Sequence, residues 1–294
     1  MPLNNTYSAK FTENVSLSPL TTLGAGGVAE VFASPSNAEE LCGIIRSLKE
    51  CPVYVIGGGS NILIPDGRIP GLVISSRKLT KIKWLNDYSA EIGAGYPLPL
   101  LVKNLRERNI GGLEFAVGIP GTLGGAVSGN AGAGGKGVCM FVDSVKAVDS
   151  SGDMITLKRG EFEYGYRKCD ISGAIITSVA MSFPVGASWN EDEASNFAAK
   201  RKSQPLDSRN AGCTFKNPEG HSAGKLLDDC GCKGMFCGEA VVSDKHANFI
   251  INRGSASSSD IEELIELCAE RVFERTGIRL EREIKPFMPC FSVK

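Results

Sequence analysis

Between residues 111 and 137 the chain reads GGLEFAVGIPGTLGGAVSGNAGAGGKG, its most glycine-dense stretch. Each glycine costs a helix about 1 kcal/mol relative to alanine, so this segment cannot hold a helix by its own propensity. Its shape has to be fixed either by packing, as in a structural Ω-loop, or by a large ligand such as a dinucleotide lying on exposed amides. A second run, Gly57-Gly58-Gly59-Ser60-Asn61, follows the apolar Val53-Tyr54-Val55-Ile56 and precedes Ile62-Leu63-Ile64. Taken alone it is either a tight turn between strands or a place where backbone N–H groups meet an anion. No Gly-Lys-Ser/Thr follows and no helix opens after it, so it is neither a P-loop nor a Rossmann turn.

The periodicity around these runs is mixed. Ser36 to Glu50 predicts a helix, with Ser36 and Glu39 as a capping box and Leu41, Ile44, Ile45 and Leu48 as the apolar stripe. Pro97 to Asn109 predicts another, carried by Leu98, Leu101, Val102 and Leu105. Asn190 to Lys202 reads as a polar helix with a basic end, and Ala223 to Asp229 as a short one. A final helix has Ser259 and Glu262 as its cap and Ile261, Leu264, Ile265, Cys268 and Val272 as its stripe. Strands are expected at Gly71 to Ser75, Ala174 to Phe183, Ala247 to Asn252 and Arg279 to Pro286. Ile82 to Leu85 should pair with Ala90 to Gly93, and Ser144 to Val148 with Met154 to Leu157. The composition changes near residues 185 to 205, the best place for a domain boundary.

Lys plus Arg number 32 and Asp plus Glu 33 in the 294 residues, a formal charge of −1. That argues against a polyanion-wrapping surface and so against nucleic acid as the main partner. The apolar runs are only a few residues long, which excludes a bilayer-spanning helix, and MPLNNTYSAKFTENVS carries no apolar core of a secretion signal. The expected location is the cytoplasm, where the ten cysteines would be reduced thiols rather than a disulfide frame. Cys230, Cys232 and Cys237 cluster between His221 and His246, but C-x-C-x4-C lacks the usual zinc-knuckle spacing, and no metal is expected.

Three further motifs hold groups suited to anion chemistry. Arg167, in Tyr164-Gly165-Tyr166-Arg167, is either a surface cation or a forked grip on a carboxylate. Glu283 alternates with Arg282 as an ordinary solvated strand face would. Cys213, in Ala211-Gly212-Cys213-Thr214-Phe215-Lys216-Asn217-Pro218, is either a small buried thiol or an acid stronger than a hydroxyl. Ser222-Ala223-Gly224-Lys225 is either a plain capped helix start or free amides and a cation facing an anion.

Taken together, GGGSN followed by GIPGTLGGAVSGNAGA resembles the FAD-binding domain of the vanillyl-alcohol-oxidase/PCMH flavoprotein superfamily. The Tyr164–Arg167 motif, the Ala211–Pro218 motif and Leu280-Glu281-Arg282-Glu283-Ile284 are similar to the catalytic motifs of the UDP-N-acetylenolpyruvoylglucosamine reductases. The resemblance runs in order from about Thr21 to Pro286 and is to that family's short second type, without the extra substrate-covering insertion. It implies a mixed α/β, α+β fold: a PCMH-type FAD-binding domain over residues 1–188, of two lobes dividing near 75–80, then a substrate-binding α+β domain over 189–294. The last strand of that domain would return Glu283 to the flavin.

The resemblance also implies non-covalent FAD, NADPH as reductant and the enolpyruvyl ether of UDP-N-acetylglucosamine as substrate. Hydride goes to the terminal vinyl carbon, a proton to the α-carbon, and the product is UDP-N-acetylmuramate, a peptidoglycan precursor. The implied FAD contacts are Gly57, Gly58, Gly59, Ser60 and Asn61, mainly near the pyrophosphate, and Gly118, Pro120, Gly121, Thr122, Gly124, Gly125 and Ala126. Arg167 and Glu283 would hold the enolate, and Cys213 would donate the proton. Tyr166, Lys216, Asn217 and Lys225 would contact the substrate. The family pattern has serine where this chain has Cys213, so that role transfers by position and chemistry rather than identity; a nearby Arg167 should lower the thiol's pKa. The enzyme is expected to work as a monomer, with neither membrane nor nucleic acid as partner. Another flavin oxidoreductase of the superfamily would keep the glycine segments without needing Arg167, Cys213 and Glu283 together. A non-catalytic nucleotide-binding or thiol-rich metal protein would lack a flavin spectrum.

Overall fold

A computed structural model describes residues 11–293. The first sheet has five strands in the order Phe11–Ser16, Val28–Ala33, Arg68–Ser75, Cys51–Ile56, Phe291–Val293. Its three inner strands are parallel and its two edge strands antiparallel. Helix α1, Ala38–Arg46, lays Leu41, Cys42, Ile44 and Ile45 on this sheet. Each such aliphatic side chain, fully buried, contributes about 1.5–3 kcal/mol. The cap of α1 differs from the expected Ser36–Glu39 box. Asn37 Oδ1 accepts the Glu40 N–H, while Glu40 reaches back to the Ser36 N–H. The helix stops at Arg46, where the Ser47 hydroxyl donates to the Ile44 carbonyl.

The second sheet, also of five strands, is antiparallel throughout, in the order Met154–Lys158, Val142–Asp149, Ala174–Ser182, Ser89–Gly93, Ile82–Asn86. Both expected hairpins are present in it. Helix α2, Leu98–Glu107, buries the expected Leu98, Leu101, Val102 and Leu105. They share a core with Phe115, Val145, Val179 and the six-residue helix α3, Leu123–Ser128. The polar helix α4, Glu191–Lys202, follows the sheet, and buries only Ala194.

A third core lies between helix α5, Ala223–Asp229, helix α6, Ser258–Thr276, and the small sheet Phe236–Cys237, Ala240–Val242, Ile250–Asn252. It includes Leu23, Ala25 and Leu63 from the N-terminal part of the chain. The capping box of α6 is Ser257 with Asp260, two residues before the expected Ser259 and Glu262. Ser259 is engaged elsewhere: Asp66 accepts the N–H groups of Ser258 and Ser259 and the Ser259 hydroxyl. The expected Arg279–Pro286 strand is mostly a strap whose hydrogen bonds go to different partners. Lys216 N–H donates to Glu281 O, Glu283 N–H to Thr214 O, and Lys285 N–H to Asn61 O. Only Lys285–Pro286 pairs regularly, parallel to Ile62–Leu63. Among the described residues no helix is long and apolar enough to cross a membrane.

Candidate active site

The two glycine segments pack against each other. A Cβ on Gly58 would stand 2.5 Å from Gly121 Cα, and one on Gly57 2.6 Å from Thr122 Oγ1. Arg77 fastens the first segment from behind, donating to the carbonyls of Gly57 at 2.8 Å, Gly58 at 3.1 Å and Leu20 at 2.6 Å. Among the described residues, the amides of Gly58, Gly59, Ser60 and Asn61 find no hydrogen-bond partner, nor do those of Gly121 and Thr122, and the buried Thr122 Oγ1 has none either. Free donors beside walls that no Cβ could line suit the phosphates of a dinucleotide. Pro120 and Gly125 are exposed beside this groove. Gly124 and Ala126 are buried, the Gly124 N–H donating to the Ala94 carbonyl. Gly118, at φ +74°, packs on Arg201.

Tyr164–Gly165 and Lys168–Cys169 form a short hairpin whose two turn residues are Tyr166 and Arg167. Arg167 has φ +57°, a left-handed conformation rare outside glycine, asparagine and aspartate. Its Nε lies 2.6 Å from Glu283 Oε1, a charge contact whose N–H is not aligned on the carboxylate. Nη1 donates to the Gly132 carbonyl at 2.9 Å. Burial raises the Glu283 carboxyl above the ordinary glutamate range, although Arg167 pulls it the other way.

Glu283 is tied to both other parts of the site. Its carbonyl accepts from Asn61 Nδ2 at 3.3 Å, and its N–H donates to the Thr214 carbonyl at 2.8 Å, one residue beyond Cys213. The thiol of Cys213 is pushed up to about 11. Burial is the largest cause and the Glu283 charge adds to it; together they outweigh Arg167 and Arg201. The expected lowering by Arg167 is therefore present but overruled. A thiol has little hydration to lose and a thiolate much, so burial favours the protonated form.

A cavity of about 140 Å³ is lined by Asn61, Gly129, Arg167, Lys216, Glu283 and Lys285, among others. Lys216 pairs with Glu281 beside it. Tyr166 is exposed, its ring 5.4 Å from the Arg167 guanidinium carbon. Asn217 caps the start of α5 by accepting the Ala223 N–H at 2.9 Å. Lys225 stands exposed on that helix and is not part of the cavity wall.

Sequence reasoning missed three contributors. Arg201, in the basic end of α4, donates to the Val117 carbonyl at 2.7 Å and is felt by Cys213. Asn248 is buried and clamps Phe215 through both its amide groups, at 2.9 and 2.8 Å. Arg77 gives no signal short of the fold itself.

Comparison with known proteins agrees with this arrangement. Residues 29–158 match the family model described as FAD binding domain. Residues 204–287 match the one described as UDP-N-acetylenolpyruvoylglucosamine reductase, C-terminal domain. The enzyme of that name from Chlamydia felis is 36% identical over 273 residues, covering 92% of each chain. Its counterpart from Anaplasma marginale is 39% identical over 289 residues, covering 95% of this chain and 94% of the relative. The crystal structure of the Thermus caldophilus UDP-N-acetylenolpyruvylglucosamine reductase superposes with a TM-score of 0.81 at 34% identity, over 94% of this chain and 98% of that one. The chain belongs to the UDP-N-acetylenolpyruvoylglucosamine reductase family.

Proposed function

We propose that Arg167, Glu283 and Cys213 are the groups that carry the reaction, with FAD held between Gly57–Asn61 and Gly118–Ala126. The activity is that of the family: reduction of the enolpyruvyl ether of UDP-N-acetylglucosamine to UDP-N-acetylmuramate, with NADPH as reductant, in peptidoglycan precursor synthesis. FAD, when bound, supplies the hydride relay between NADPH and the terminal vinyl carbon. The side chains deal with the charge that hydride addition creates. Negative charge builds on the substrate carboxylate and α-carbon, and the fixed cation of Arg167 stabilises it. Glu283 holds that cation in place. Cys213 gives a proton to the α-carbon, and a thiol pushed up to about 11 is fully protonated at neutral pH, as a donor must be.

The observation that carries this reading is the Arg167–Glu283 pair in the wall of a cavity that Asn61 also lines. Lys216 in the same wall and Tyr166 against Arg167 favour both as substrate contacts. Asn217 and Lys225 belong to the reading through the family pattern alone. The two-lobed cofactor part, residues 1–188, is supported by the two sheets, one formed before and one after residues 75–80 except for the edge strand Phe291–Val293, and the substrate part, 189–294, by the core around α6, to which Leu23, Ala25 and Leu63 are added. The near-neutral charge supports only the expectation that nucleic acid is not the main partner; a cytoplasmic monomer acting away from membranes belongs to the same reading. The test is colour: the purified protein should be yellow, bleach with NADPH, and recover its colour on adding the enolpyruvyl sugar nucleotide under anaerobic conditions. Bleaching without recovery would assign the chain to another flavin-dependent reaction.

A further inference from the structure

We propose that Asn130 is a positioning residue for the reaction, holding the hairpin turn that presents Arg167. Arg167 sits at φ +57° with no glycine-like freedom to make that conformation cheap, so its surroundings have to impose it. Two contacts from one short segment reach this hairpin, one on the backbone just before the turn and one on the Arg167 side chain. Asn130 Nδ2 donates to the carbonyl of Gly165, just before the turn, at 2.8 Å. The carbonyl of Gly132 accepts from Arg167 Nη1 at 2.9 Å. Asn130 is itself anchored, since its Oδ1 accepts the Cys139 N–H at 3.0 Å. It is 8% exposed and has φ +40°, a region that asparagine tolerates better than most side chains. Gly137 leaves the room for it, because a Cβ there would collide with the Asn130 side-chain amide. Both polar ends of Asn130 are thus engaged inside the protein, unlike the free amides of the groove. Its part in the site runs through Arg167, not through the cofactor.

This inference rests on the assignment of Arg167 above, and its test separates the two. Asn130→Asp keeps the acceptor for Cys139 but replaces the donor to Gly165 with a carboxylate oxygen. Asn130→Gly keeps the backbone conformation and removes both bonds. In flavin-loaded protein, reduction by NADPH should stay within about twofold of wild type for both variants. Reoxidation by the enolpyruvyl sugar nucleotide should slow by about 10- to 100-fold, the usual cost of displacing a positioned group by an ångström. Combined with Arg167→Lys, either variant should add little to the loss that Arg167→Lys causes alone, because both act on the same contact. Full additivity, equal slowing of both half-reactions, or loss of flavin from both variants overturns the proposal. If Arg167→Lys alone leaves reoxidation untouched, the assignment of Arg167 fails first. If it slows reoxidation while the Asn130 variants do not, the positioning role alone fails.

Discussion

Arg167 Nε lies 2.6 Å from Glu283 Oε1, with the two side chains only 23% and 12% exposed. The pair joins a hairpin turn on one side of the cavity to a strap crossing the other, so neither charge can be changed without disturbing its partner. Arg167→Lys is expected to be far from conservative. Lysine keeps the charge and loses the planar fork that fits a carboxylate or enolate. Stopped-flow traces should show substrate-driven reoxidation slowed at least tenfold and NADPH-driven reduction nearly unchanged; equal damage to both would make Arg167 structural.

For Cys213 the expected result is a split between two replacements. Cys213→Ser should turn over, since a hydroxyl at the same place can also deliver a proton, and serine is what the family resemblance implies here. Cys213→Ala should be reduced normally by NADPH but reoxidised some 10²–10⁴-fold more slowly, the usual worth of a placed acid. Normal turnover in the alanine variant would remove the thiol from the proton path, and a serine variant as slow as the alanine one would mean that the thiol does something a hydroxyl cannot.

The pH dependence follows from a thiol pushed up to about 11. A donor has to be protonated, so the reoxidation rate should be level from pH 7 to 9 and fall only on approaching 11. Alkylation by iodoacetamide needs the thiolate and should be slow at pH 8. A fall in rate centred near pH 8 would contradict this environment.

Glu283→Gln removes the charge that, after burial, raises the Cys213 thiol. With Arg167 and Arg201 no longer opposed by it, the thiol pKa should move down. Iodoacetamide labelling of Cys213 at pH 8 should then be faster in the variant than in wild type, while substrate-driven reoxidation slows. Unchanged labelling would mean that burial alone sets the thiol.

Asp66 fastens the start of α6 to the loop after Ile62–Leu63, and bonds from Ser258 and Ser259 outweigh burial to lower its carboxyl below 3.8. A depressed carboxylate pKa gives stability that is complete above the unfolded value and is lost as pH falls through the folded one. Asp66→Asn should therefore lower stability by about 0.5–1 kcal/mol near pH 7. The gap should close below pH 3.8, as followed by urea titration. A gap that is constant with pH would exclude the charge as its source.

Much of this architecture is written in the periodicity. Leu98, Leu101, Val102 and Leu105 repeat on one helical face, and a helix there has one way to bury them. The caps were harder to read. Ser257, Ser258, Ser259 and Asp260 offer several equivalent starts, and Asp66, distant in sequence, takes Ser258 and Ser259 and leaves Ser257 as the cap. The Leu280–Pro286 segment alternates like a strand, yet its hydrogen bonds are divided among Lys216, Thr214 and Asn61. In the site, only the family resemblance lifts Arg167, Glu283 and Cys213 above the ordinary readings of their residue types, and the thiol's environment depends on burial and on the Glu283 charge. Neither is legible in a motif.

With FAD in the proposed groove, Arg77 would have a consequence for how an almost neutral protein holds a strongly anionic molecule. By taking the carbonyls of Leu20, Gly57 and Gly58, it sorts the polarity of the loop, acceptors on its own side and unpaired donors left over. The attraction then resides in fractional charges of the peptide backbone, which dissolved salt screens weakly at contact distance and which no side-chain substitution deletes. The ionic make-up of the outer surface would thereby be free to drift without loosening the proposed grip on phosphate.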